Sequence, residues 1–146
     1  MANLNNTKYL GIDYGEKVIG LATYQPGTDP FALIHGRIIV KNDQTTFSEL
    51  KTITNDEAID AIILGLPFYT DGKESDMTKK VRLFGEKLHQ KINDIPLHFQ
   101  DETLSSFEAE ERMKNDPRYN FKVDPKMIDA LSAVIIIESF INDGNL

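Results

Sequence analysis

The sequence predicts an α/β domain: a mixed five-stranded sheet, its first three strands an antiparallel meander and the rest parallel, with helices on both faces. Three observations lead there. Three short strand-like segments precede the first helix signal. Helix and strand patterns then alternate, as parallel strands joined by helical crossovers require. Ala61-Ile62-Ile63-Leu64-Gly65 is an unbroken apolar run, which suits a strand covered on both faces.

The elements follow in order. Tyr9 to Asp13 reads as a central strand, Tyr14 to Lys17 as a turn and Val18 to Thr23 as the returning strand. Gln25 to Pro30 carries two prolines and a glycine and reads as a loop before a third strand, Leu33 to Val40. Thr46-Phe47-Ser48-Glu49 has the form of a capping box, with a helix of about ten residues behind it. After the apolar fourth strand comes the irregular segment Leu66 to Gly72. Asp76 to Ile92 is a basic amphipathic helix with Val81, Phe84 and Leu88 on one side. Pro96 to Gln100 is the fifth strand. Ser105-Ser106-Phe107-Glu108 forms a second capping box for a helix to about Lys114, and Asn115 to Lys122 reads as a mobile polar loop. Asp124 and Pro125 suit the N-cap and first turn of a last helix ending near Asn142.

The chain has 146 residues, 40% hydrophobic and 27% charged, the composition of one soluble globular domain. One domain over 1–146 is expected, with a core from about 8 to 142 and flexible tails at 1–7 and 143–146. Collagen-like, fibrous and largely disordered classes are excluded. Cysteine is absent, which removes disulfides, thiolate zinc sites and cysteine nucleophiles. The start lacks the pattern of a secretory signal, and no apolar run approaches the roughly 20 residues that span a bilayer. The absence of cysteine is compatible with a reducing cytoplasm, and monomer and homodimer are both open.

The formal net charge of −7 argues at first against a nucleic-acid partner. The charge is segregated, however. Residues 73–91 hold six basic against three acidic residues, and residues 112–126 hold five against two. Two basic stretches on one face can grip a phosphate backbone, although lysines on exposed helix faces also serve solubility alone.

Three acidic positions stand out. Asp13 ends an apolar strand expected at mid-sheet, where an ionised carboxylate is costly without a partner; the Asp-Tyr-Gly turn accounts for it as well. Asp101 and Glu102 close the fifth strand, and alternation lets at most one of them face a site on the sheet; a solvated loop is the competing account. Asp129 lies in the second turn of the expected last helix, in line with Ala133, Ile136 and Phe140, or simply near a positive helix N-terminus. Together these acids can converge on hard divalent cations such as magnesium, the arrangement that serves phosphodiester cleavage. His35, His89 and His98 show no metal-ligand spacing. Ser105 and Ser106 have no evident base.

Four stretches, in order, resemble the YqgF/RuvX family: Gly11-Ile12-Asp13-Tyr14-Gly15-Glu16-Lys17 through Gly20-Leu21-Ala22; Leu64-Gly65-Leu66-Pro67 with Asp71-Gly72-Lys73-Glu74-Ser75; Asp101-Glu102-Thr103-Leu104-Ser105-Ser106 with Glu108-Ala109; and Lys126 with Ile128-Asp129-Ala130-Leu131-Ser132-Ala133. The resemblance covers Tyr9 to Phe140. It implies an RNase H-like fold related to Holliday-junction resolvases, and a nuclease that trims precursor 16S ribosomal RNA in the bacterial cytoplasm. The family's acidic residues map onto Asp13, Glu102 and Asp129, with Asp101 as a helper. Two departures stand out: Val18 and Thr103 occupy positions where the family commonly has arginine, which weakens the fixed positive charge available to a scissile phosphate.

The expected activity is metal-dependent endonucleolytic cleavage of structured RNA. Asp13, Glu102 and Asp129 would hold magnesium or manganese, and Lys17, Lys73, Lys79, Lys80, Arg82, Lys122 and Lys126 would position the backbone. Cleavage of branched DNA is the second reading, and a non-catalytic RNA- or ribosome-binding module the third. A sugar-kinase-like ATPase shares the Gly-Ile-Asp-x-Gly strand, but the chain is too short for the paired domains that enclose a nucleotide.

Overall fold

The computed structural model describes residues 6–103 and 105–144; the outer parts of both expected tails lie outside them. Five strands and four helices occur in the expected order: β1 (Tyr9–Asp13), β2 (Val18–Tyr24), β3 (Leu33–Ile39), α1 (Asp43–Asp56), β4 (Ala61–Leu66), α2 (Asp76–Lys91), β5 (Leu97–Asp101), α3 (Ser105–Lys114) and α4 (Ile128–Asn142). The strands form one sheet in the order β3-β2-β1-β4-β5. β1, β2 and β3 pair antiparallel, while β4 and β5 extend the other side in parallel. No helix among the described residues is long and apolar enough to cross a membrane.

The alternation of each strand divides the core into two layers. Leu10, Ile12, Ile19, Leu21, Ile62 and Leu64 point to one face and pack against Phe47 and Leu50 of α1 and Val81, Phe84 and Leu88 of α2. Tyr9, Ala22, Ala61 and Ile63 point to the other, under α4 and α3. Each large aliphatic side chain buried in this way contributes about 1.5–3 kcal/mol before entropy is subtracted. α4 is buried nearly all round, from Ala130 to Ile137, because one side rests on the sheet and another on α3.

Three helix starts differ from the sequence reading, and β5 begins one residue later, at Leu97. α1 begins at Asp43, not after Thr46, because Asn42 is a competent cap: its Oδ1 accepts from the Thr45 amide at 2.8 Å. α4 begins at Ile128. Asp124 and Pro125 lie in a separate turn, in which the Asp124 carboxylate accepts from the Lys126 amide at 2.9 Å and its carbonyl from Met127 and Ile128. Asp129 is therefore in the first turn of α4. Ser105 is the first residue of α3 rather than its cap, and its hydroxyl is engaged elsewhere. The Asn115–Lys122 segment contains a 3₁₀ turn at Pro117–Tyr119, held by Asp116, which accepts from the Arg118 amide.

The seat of α4 depends on glycines. A Cβ on Gly20 would stand 2.0 Å from the Asp129 carbonyl oxygen, and one on Gly11 would stand 2.6 Å from Ile137 and 2.8 Å from the Ala133 carbonyl oxygen. Gly20→Ala should therefore force α4 off the sheet and cost about 1–3 kcal/mol, read as a lower urea midpoint at an unchanged m-value. An unaltered midpoint would show that the helix does not rest there.

Candidate active site

Strand parity decides which acid faces which way. Gly11 and Asp13 share the α4 face of β1. On β4, Gly65 takes that face, directly after Leu64, the partner of Ile12. On β5, His98 packs against Phe140 with the rings tilted by 40° and the Gln100 amide donates to Asp143 at 2.8 Å, so the even positions look toward α4. Glu102 continues that series. Its carboxyl carbon would lie 2.8 Å from a Cβ on Gly65, so the missing side chain there is what makes room for it. Asp101 turns away and accepts from the Thr103 amide at 2.9 Å and from the Thr103 hydroxyl. It organises the loop, and the threonine at 103 is its partner.

Asp13 is paired with Gly20 across the β1–β2 hairpin, and Gly20 carries the Asp129 backbone. The fold thus gathers the three acids from β1, the end of β5 and the first turn of α4 at one edge of the sheet. Asp13 and Glu102 are within hydrogen-bonding reach of each other, and the charge of Asp129 acts on Asp13. Among the described residues no three histidine or acidic side chains stand close enough together to hold a metal ion. The arrangement is a carboxyl pair with Asp129 at its side.

The electrostatics follow from burial. Asp13 is only 9% exposed. Desolvation, then the Glu102 charge and the hydrogen bond to it, and then Asp129 all push its carboxyl well above the usual range. Desolvation also raises Glu102, against the hydrogen bonds from Asp13 and Ser105, which lower it. Burial therefore holds both carboxyls above the usual range, and the proximity of Glu102 adds to the rise at Asp13. The Ser105 hydroxyl donates to Glu102 Oε2 at 2.9 Å and fixes that carboxylate. Burial raises Asp129 as well, and nearby Arg37 partly offsets the shift.

The basic residues expected to bind the backbone lie on several separate segments. Lys17 is exposed in the β1–β2 turn and Lys73 in the loop after β4. Lys79, Lys80 and Arg82 lie on the opening turns of α2, where Lys80 reaches Glu16 at 3.2 Å and Arg82 reaches Glu74 at 2.7 Å. Lys122 and Lys126 are exposed ahead of α4. Two features went unread in the sequence: the Ser105–Glu102 bond, because Ser105 was assigned to capping, and Arg37, which stands alone outside the basic stretches. Glycines at mid-strand were the available signal for the first, since they mark close approach.

A raised acid gives a definite sign. Between the ordinary carboxylate range and the elevated value for Asp13, the folded state holds a proton that the unfolded state has released, so stability falls as pH rises. Metal-free Asp13→Asn should match wild type in acid. It should melt higher as pH increases, by roughly a few °C for a domain of this size. A difference between the two that does not grow with pH, followed by thermal melts in EDTA, would contradict the buried pair.

Comparison with known proteins bears on the family and the fold. The model of the family described as "RuvX: Holliday junction resolvase" matches residues 7–143. A protein of Nitratidesulfovibrio vulgaris named "Putative pre-16S rRNA nuclease" is 34% identical over 135 residues, covering 92% of this chain and 93% of its own. One of the same name from Maridesulfovibrio salexigens is 35% identical, covering 92% and 97%. The structure of Thermus thermophilus RuvC superposes with a TM-score of 0.61 at 13% identity, covering 94% of this chain and 97% of that one; at that identity it speaks for the fold alone, which is RNase H-like. With the four sequence motifs in order and the match spanning nearly the whole domain, the chain belongs to the RuvX family.

Proposed function

We propose that this chain is a divalent-cation-dependent endonuclease that cleaves phosphodiester bonds in precursor 16S rRNA, acting in the cytoplasm. The observation that carries the proposal is the buried Asp13–Glu102 pair, with Asp129 beside it, at the strand-end edge of a RuvC-type sheet. Two carboxyls this close, with little water, are under mutual repulsion that a hard cation relieves, and their oxygens are the donors magnesium or manganese prefers. Asp13 and Glu102 would hold the ion, with Asp129 as the third acid. When bound, it supplies Lewis acidity to a phosphodiester and to a water molecule.

The protein's own groups set the rest. Because both carboxyls are held above the usual range, a cation there would compete with protons, and rising pH would favour its binding. Ser105 keeps Glu102 oriented through that change, and the seat of α4 on Gly20 fixes Asp129. Lys17, Lys73, Lys79, Lys80, Arg82, Lys122 and Lys126 would hold the backbone on either side of the edge. The segregation of positive charge onto these connections supports binding despite the net charge of −7.

The relatives' name favours RNA, while the family description and the RuvC likeness keep four-way DNA junctions as a second reading. Asp13→Asn should lower magnesium-dependent cleavage of a precursor 16S rRNA fragment by at least about 100-fold, with circular dichroism unchanged. Faster turnover of junction DNA than of that RNA by wild type would move the reading to a resolvase. Salt-sensitive RNA binding with no metal-stimulated cleavage by wild type would make the chain a binding module.

A further inference from the structure

β3 does not alternate regularly, and the irregularity re-aims one cation. Gly36 is opposite Leu21, but the next pair is Ala22 with Ile34, so His35 is an extra residue in a β-bulge. Gly36 has φ +147, a backbone conformation that favours glycine. The bulge inverts the parity of the strand. Ile34 faces α4, packed with Ala22. Without the extra residue, Gly36 would share that side and Arg37 would point to the layer under α1 and α2. With it, Arg37 is opposite Gly20, which is the residue between Asp13 on one side and the Asp129 backbone above.

Arg37 is exposed and has no ion pair among the described residues, whereas Arg82, Arg112 and Arg118 are each tied to a carboxylate. Its neighbours on that face, Val18 and Ile39, are apolar and carry no charge to compete with it. Bulges that turn a side chain toward a site are a recurrent device beside active centres. A guanidinium is suited to a phosphate, which it can contact through two N–H groups at once.

We propose that Arg37 is a phosphate-binding residue of the site, brought to the carboxylate edge by the β3 bulge to grip the nucleic-acid backbone next to the position of cleavage. The inference rests on the nuclease reading and names a contact within it. Its charge also acts on Asp129, so the decisive measurement separates substrate binding from an effect on the acids.

Fluorescence anisotropy with a labelled precursor 16S rRNA fragment, in EDTA and across a potassium chloride series, reads binding without metal or turnover. Arg37→Gln should weaken binding about ten-fold at low salt and reduce the slope of log K against log salt by about 0.7–0.9, the loss of one phosphate contact. Arg37→Lys should restore the slope but only part of the affinity. Lys51→Gln, the same charge change on α1, should match wild type. Equal affinity and slope for Arg37→Gln and wild type, or an equal loss in Lys51→Gln, would overturn the assignment. So would a change confined to manganese affinity, measured by calorimetry, since Arg37 would then act only through Asp129. Wild type that binds neither this RNA nor junction DNA would overturn the nuclease reading itself, and the assignment with it.

Discussion

The proposed site depends on α4 lying directly on the backbone of the sheet. Helix and sheet normally keep a side chain's width between them. Here that layer is missing at Gly11 and Gly20, so main chain meets main chain, and at Gly65, where Ile136 and the carboxyl of Glu102 take the space. The same close contact buries Asp13, places Asp129 above the neighbouring strand and leaves a pocket of the right size for Glu102. Remove the intimacy of that contact and the acids return to water, where they are ordinary surface groups.

A cost is built into this arrangement. The core on the α1 and α2 side is conventional, apolar and close-packed. The α4 side ends in a buried carboxyl pair whose ionised form desolvation penalises. Such local instability persists when the surrounding packing over-determines it, and it tends to gather where a ligand will relieve it. Stability here is unevenly distributed: the apolar layers hold the sheet, and the edge is kept under electrostatic strain.

Much of this was legible in the sequence, and the limits are physical. The strands could be read because alternation and apolar runs are local signals; β1 was placed residue for residue. The likeness of Asp13, Glu102 and Asp129 to a set came from their positions at strand ends and on a helix. Adjacent strand residues must diverge, and Glu102 is the one that turns inward. The start of α4 was misplaced because Asp124 and Pro125 form a turn that resembles a helix entry. Even so, the stripe from Asp129 to Phe140 kept its direction, since phase along a helix survives an error in its first residue. Asn42 outcompeted Thr46 as a cap, and nothing local distinguishes the two. Arg37 was illegible for a deeper reason. Its orientation depends on an unpaired residue that becomes visible only when the partner strand is known.

The bulge in β3 has one more consequence. β3 is the border of the sheet, and among the described residues its far side contacts no other strand. The extra residue sets which surface each following side chain takes: with it Ile38 enters the layer under α1 and α2 and Arg37 takes the α4 side. Charge beside the acids thus depends on chain length at the rim as well as on which residue stands there. Comparing sequences by aligned columns alone would not detect such a change. Two chains with different residues at position 37 can present the same chemistry, and two with arginine there can present it to opposite sides.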